Sequence, residues 1–475
     1  MRNFLTRRQA LREVAGGLGA IALGSILNQE TLYGSESGMS YDLTPKQPHF
    51  PPRAKNVIFI YISGGPSTID MFDPKPVLER YDGKPAPFEI KGRALNGSQQ
   101  VMASPWEFQR HGQSGRPVSE LLPNFAKIVD EVAFVRSMTT DRIDHSTAQF
   151  TFVTGRGITG FPSIGAWVAY GLGTENQNLP AFIVLETGGS TIKTRAYSSA
   201  WLPPIYSGTK MMADPEAPMY DISRPKEMTE ERQRELLNMV TRLNRRQKME
   251  GYALDQDLES RIANYELAAR MQMEAMKVAD ISGESAATKE LYGLEDKIAG
   301  PFSHNCLMAR RLVERGVRFV TLISGTGGGN GWDTHSNIQG ALPGLCQSID
   351  RGIYGLITDL KGRGLLKDTL IVWSGEFGRL PTIQSSGPRP GRDHNPYGFS
   401  MWMAGAGVKA GVDFGDTDEL GYAALKEHKL THSDIHATIQ HLVGLDYKKN
   451  TYLYEGREES LVGVNPARVV NEILA

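Results

Sequence analysis

Four short stretches of this 475-residue chain bring acids, imidazoles and guanidinium groups together. Residues 324–335 read Ser-Gly-Thr-Gly-Gly-Gly-Asn-Gly-Trp-Asp-Thr-His, a glycine-rich loop that ends in the pair Asp333 and His335. A carboxylate and an imidazole two residues apart on so adaptable a backbone can both reach one divalent ion. A phosphate cradle of the P-loop kind is excluded, because its lysine is absent. A surface turn with an internal Asp-His hydrogen bond is the plainer alternative. The second stretch, Ser374 to Arg379, offers Glu376 as a further metal ligand and Arg379 as a two-pronged partner for an anionic oxygen. The third, Pro390 to Pro396, adds Arg392, Asp393 and His394. In the fourth, Asp144-His145-Ser146-Thr147, the types suit a helix start, where free amides bind anions and a neighbouring nucleophile is activated. His145 is open to use as ligand, base or nucleophile, and Asp144 or Ser146 to use as a simple helix cap.

These residues need elements to carry them. Asn56–Ile62 is a continuous apolar, β-branched run ending in Ser63-Gly64-Gly65-Pro66, the signature of a buried parallel strand entering a loop. Comparable runs cover 131–136, 181–185, 317–323, 369–373 and 399–403, with helical patterns between them. Strands alternating with helices predict an α/β fold with a doubly wound, mostly parallel sheet. In that architecture ligands sit outside the carboxyl ends of the strands, where three of the four polar stretches fall. Residues 225–297 differ: rich in Glu, Arg, Met and Leu at helical spacing, they predict a helical insertion. Its Met249, Met271, Met273 and Met276 are expected to pack as core rather than to line a ligand groove. His432, Asp434, His436 and His441 are expected to pack and cap a helix near the C-terminus.

Composition narrows the function. With 52 basic against 53 acidic residues, no strongly basic surface for nucleic acid is expected. The two cysteines, Cys306 and Cys346, fit neither a disulfide framework nor a metal spacing, although they allow one optional disulfide. Residues 1–30 hold Arg7-Arg8, then a weak Gly/Ala-rich apolar stretch of about 14 residues from Val14 to Leu27, too short to span a bilayer. This resembles a twin-arginine export signal and predicts a periplasmic or extracellular protein; an N-terminal amphipathic helix that stays attached is the alternative. Residues 31–55 read as a linker or arm, and 56–475 as the folded body. No later run is long enough for a membrane span in the mature chain.

Seven ordered segments, GGPSTIDMFDPKP, DHSTAQFTFVTGR, PSIGAWVAYGLGTENQNLPAFIVL, NGWDTHSN, WSGEFGRLP, GRDHNP and THSDIHATIQHLVGLDY, resemble the exported bacterial family known as domain of unknown function 1501. The resemblance implies an alkaline-phosphatase-like fold, shared with sulfatases, and a site for divalent metals with a nucleophile. It places Asp333, His335 and His394 at metal-binding positions and His145, with Ser146 beside it, at the nucleophile position. The superfamily's Asp-His pair stands here as Glu376-Phe377, and Ser63 stands where the first strand delivers a metal-binding Asp, with Asp70 and Asp73 close behind. A formylglycine mechanism is not expected, since Cys306 is followed by LMAR and Cys346 by QSID.

The expectation is a secreted, metal-dependent hydrolase-like protein acting on a small phosphate or sulfate ester, free or carried on a polysaccharide. Asp333, His335, His394 and Glu376 would hold zinc or manganese, His145 or Ser146 would attack, and Arg379 or Arg392 would stabilise the anion. The alternative is a binding or assembly protein that keeps the fold with a degenerate site.

Overall fold

The computed structural model describes residues 43–475, apart from positions within 88–98, 189–192, 215–227, 250–273, 326–330 and 385–386. The export segment expected over 1–30 and the glycine run 327–329 lie outside the described residues. From Leu43 the predicted arm lies along the body: Lys46 N–H donates to the Leu172 carbonyl and Arg53 N–H to that of Leu442, both at 2.9 Å.

The six apolar runs all become strands of one nine-stranded sheet. In chain order its strands are β1 (Asn56–Ile62), β2 (Val132–Thr139), β3 (Phe182–Thr187), β4 (Thr209–Met211), β5 (Phe319–Ser324), β6 (Thr369–Ser374), β7 (Phe399–Gly405), β8 (Asp413–Phe414) and β9 (Leu430–Thr431). Across the sheet the order is β8-β2-β7-β6-β1-β5-β3-β4, with β9 also beside β2. Every residue of β5 and β6 is buried, so both faces of the centre are covered, as continuous apolar runs require. The fold is α/β, doubly wound and mostly parallel. Among the described strands of this sheet only β7 is reversed, antiparallel to both β2 and β6.

That reversal matters for the site. The start of β7 lies at the edge where the parallel strands end, so the segment before it meets the loops that follow β1, β5 and β6. The helices that count are α1 (His145–Thr154), α2 (Ile164–Leu172), α3 (Glu230–Met249), α4 (Ala286–Tyr292), α5 (Gly300–Glu314), α6 (Ile338–Gly362) and α7 (His432–Leu442). Helices α3 and α4 form the predicted insertion, between β4 and β5. Met271 is buried there as expected, whereas Met276 is exposed; the side chains of Met249 and Met273 lie outside the described residues. Cys306 and Cys346 are free, buried thiols. No helix among the described residues is long and apolar enough to cross a membrane.

Candidate metal centre

Four side chains from three separate segments converge at the carboxyl edge of the sheet. His145 opens α1, just beyond β2; Asp333 and His335 follow β5; and His394 sits on the short strand Arg392–Asn395 that leads to β7. One ligand atom from each of the four lies within 4.8 Å of all the others. Asp144 caps α1 by accepting from Thr147 N–H at 2.9 Å, so the helix starts with His145 as its first residue. The turn after β1 passes beneath the centre on two glycines. A Cβ on Gly64 (φ +121°) would stand 2.7 Å from the Asp333 nitrogen, and one on Gly65 (φ +70°) 2.6 Å from the Phe377 ring. Only glycine allows this approach.

All three imidazoles turn Nε2 toward Asp333. His145 Nε2 is 3.0 Å from Oδ2, while His335 and His394 Nε2 are 2.8 and 3.3 Å from Oδ1. Those separations are close to the roughly 3.3 Å between two ligands on a tetrahedral ion with bonds of about 2.0–2.1 Å. All three Nδ1 atoms face acceptors on the other side. His145 Nδ1 meets the Glu376 carboxylate at 2.6 Å, His394 Nδ1 the Ile143 carbonyl at 2.6 Å, and His335 Nδ1 the Gln384 amide oxygen. An acceptor at Nδ1 places the proton there and leaves the Nε2 lone pair facing the shared point, the arrangement that metal-binding histidines adopt.

The electrostatics tie the four groups together: without a cation His145 holds its second proton at neutral pH, and a metal would take that proton's place at Nε2. Burial works against the charge on Asp333, but its bonds to the three imidazoles and the nearby Arg379 hold the carboxyl far below its usual range. Burial also opposes charge on His145, yet the Asp333 and Glu376 carboxylates raise it to about 9. His394 is lowered, first by burial and then, against the pull of Asp333, by Arg379 and the other two imidazoles. Phe377 closes one side, its ring 4.9 Å from that of His145 and 4.3 Å from that of His394.

The remaining predicted residues are placed differently. Glu376 lies outside the four-residue group: fully buried, it stands behind His145, where the expected reading had it as a ligand. Arg379 is also buried and is spent on the centre itself, with Nη2 2.6 Å from Asp333 Oδ1 and Nε bound to the Gly65 carbonyl. Arg392 points away, into a buried pair with Asp70. Asp73 joins Lys75 and Arg136, so neither acid behind Ser63 reaches the cluster. Ser146 is exposed on the first turn of α1, beside His145. His432 and His436 are buried in α7, outside the group.

Sequence reasoning missed Gln384, Gln149 and Tyr61. Gln149 had a visible signal, standing four residues after His145 on the same helix face as a polar residue among apolar ones. Gln384 had none.

The lipoteichoic acid synthase LtaP from Listeria monocytogenes is similar at 9% identity, covering 93% of this chain and 80% of its own, with a TM-score of 0.35. The PsFucS1 sulfatase from Pseudoalteromonas sp. is similar at 12% identity over 93% of this chain and 72% of its own, with a TM-score of 0.34. Alkaline phosphatase from the Antarctic bacterium TAB5 matches at 11% identity, 78% and 94% coverage and a TM-score of 0.33. No curated protein matches the sequence. The model of the family described as protein of unknown function (DUF1501) matches residues 54–474, and the chain belongs to that family.

Proposed function

We propose that this chain is an exported metal-dependent hydrolase-like protein that acts on a phosphate or sulfate ester. The observation that carries the reading is the convergence of three Nε2 atoms on Asp333, each imidazole held from behind at Nδ1. His145, Asp333, His335 and His394 would hold one divalent ion. Three imidazoles with one carboxylate suit zinc or manganese better than calcium, which takes oxygen ligands. When bound, such an ion supplies Lewis acidity and positive charge for an ester oxygen.

The chain's own groups then divide the work. Nε2 of His145 belongs to the ligand set, so attack passes to the neighbouring exposed Ser146 hydroxyl on this reading. Arg379 keeps Asp333 ionised and oriented rather than touching substrate. Arg392, spent on Asp70, has no part in anion binding.

One observation favours the second reading, a binding or assembly protein. Both candidate arginines are buried and engaged, so neither offers a free guanidinium to a substrate. A panel of phosphate and sulfate esters, run on metal-loaded protein, decides between them. Turnover lost in both His335→Ala and Ser146→Ala supports the hydrolase. Stoichiometric metal with no ester cleaved supports the binding protein.

A further inference from the structure

Glu376 sits at the carboxyl end of β6 with its side chain fully buried. Its carboxylate accepts from His145 Nδ1 at 2.6 Å, Gly64 N–H at 3.0 Å, Gln149 Nε2 at 3.2 Å and the Tyr61 hydroxyl at 3.4 Å. No lysine or arginine pairs with it among the described residues; its one ion-pair partner there is His145. A buried carboxylate without a cation of its own is costly to keep. Asp333, by contrast, has Arg379 against it. The three imidazoles are also held differently at Nδ1: His394 meets a backbone carbonyl, His335 the Gln384 amide with the Asp393 carboxylate 3.9 Å away, and only His145 a carboxylate at hydrogen-bond distance, 2.6 Å.

We propose that Glu376 is a positioning residue of the metal centre: it fixes His145 with Nδ1–H toward itself and Nε2 toward the cation, and its buried charge makes that imidazole the strongest donor of the three. The proposal rests on the metal-binding reading above. It also explains the companions of Glu376. Gly64 N–H, Gln149 and Tyr61 fill the remaining lone pairs, so the carboxylate has one direction left in which to act, along the bond to His145. Gln149 is four residues beyond His145 on α1, so the helix that carries the imidazole also holds its partner in place. The cation would meet the charge of Glu376 through the ring rather than by contact, as carboxylates behind ligating histidines do elsewhere.

Zinc affinity measured by chelator competition on the full folded chain tests this, with circular dichroism as the check on folding. Glu376→Gln keeps the size of the side chain and an acceptor but removes the charge, and should weaken zinc binding by about 10- to 100-fold. A cobalt-substituted Glu376→Gln protein should keep the visible bands of the parent, because its ligand set is unchanged, whereas His145→Ala should alter them. The decisive comparison is the double variant. If Glu376 acts through His145, adding Glu376→Gln to His145→Ala should cost nothing further. An equal loss in both backgrounds would overturn the proposal, as would unchanged affinity in Glu376→Gln alone. Cobalt bands altered by Glu376→Gln would make Glu376 a ligand and also overturn it. A parent chain that takes up no zinc would instead refute the metal-binding reading, and this proposal with it.

Discussion

Arg392 and Asp70, 322 positions apart, meet in a pair of hydrogen bonds with no solvent at either side chain: Nε to Oδ2 at 2.8 Å and Nη2 to Oδ1 at 2.9 Å. The other guanidinium protons go to the Met102, Leu380 and Ala103 carbonyls. The pair ties the segment after β1 to the strand that carries His394.

Removing one partner leaves a bare charge in the interior, so Arg392→Met should lower stability by about 3–5 kcal/mol in urea unfolding. Joining it to Asp70→Leu should recover most of the loss, since neither charge is then stranded. A double variant as unstable as the single would show that Arg392 matters through its carbonyl contacts instead.

Histidines in α7 predict an acid sensitivity separate from the metal centre. His432, packed against Phe152 and Phe399, has no hydrogen-bond partner at either nitrogen among the described residues, and burial, followed by His436, depresses it to about 3. His436 Nε2–H donates to the Phe152 carbonyl, and the imidazole is lowered to about 4, first by burial and then, against that bond, by Arg156. Both folded values lie below the unfolded value of about 6.5, so the unfolded chain takes up protons that the folded one refuses. Stability is therefore full above about pH 6.5 and falls as the pH drops toward 4 and 3. At pH 5 each site should cost about 2 kcal/mol. His432→Phe should flatten the slope between pH 7 and 5 in denaturant unfolding; an unchanged slope would contradict this account.

Export is tested at the N-terminus. Changing Arg7 and Arg8 to lysine keeps the charge but removes the guanidinium groups that a twin-arginine receptor reads, so the precursor should remain in the cytoplasm by cell fractionation. Normal export of the Lys-Lys form would point to another route.

Much of the fold was legible because buried parallel strands leave a continuous apolar trace. The runs at 56–62 and 369–373 match β1 and β6 within a residue. Short edge strands such as β4, β8 and β9 left none, because two or three residues carry no period. Asp333, His335 and His394 were legible as chemistry in loops at one sheet edge. The work of Glu376 and Arg392 was not, since it depends on pairing across 231 and 322 positions respectively. In a loop, a charged residue reads the same whether it meets a substrate or, as Arg392 does, a buried acid.

The central claim is that three imidazoles and one carboxylate share one cation. X-ray absorption at the zinc edge of the metal-loaded chain tests it most directly. The geometry predicts one zinc per chain with three histidine nitrogens and the Asp333 oxygen at about 2.0–2.2 Å, and two histidines in His145→Ala. A spectrum with fewer than three imidazoles in the parent chain, or one that His145→Ala leaves unchanged, would contradict it.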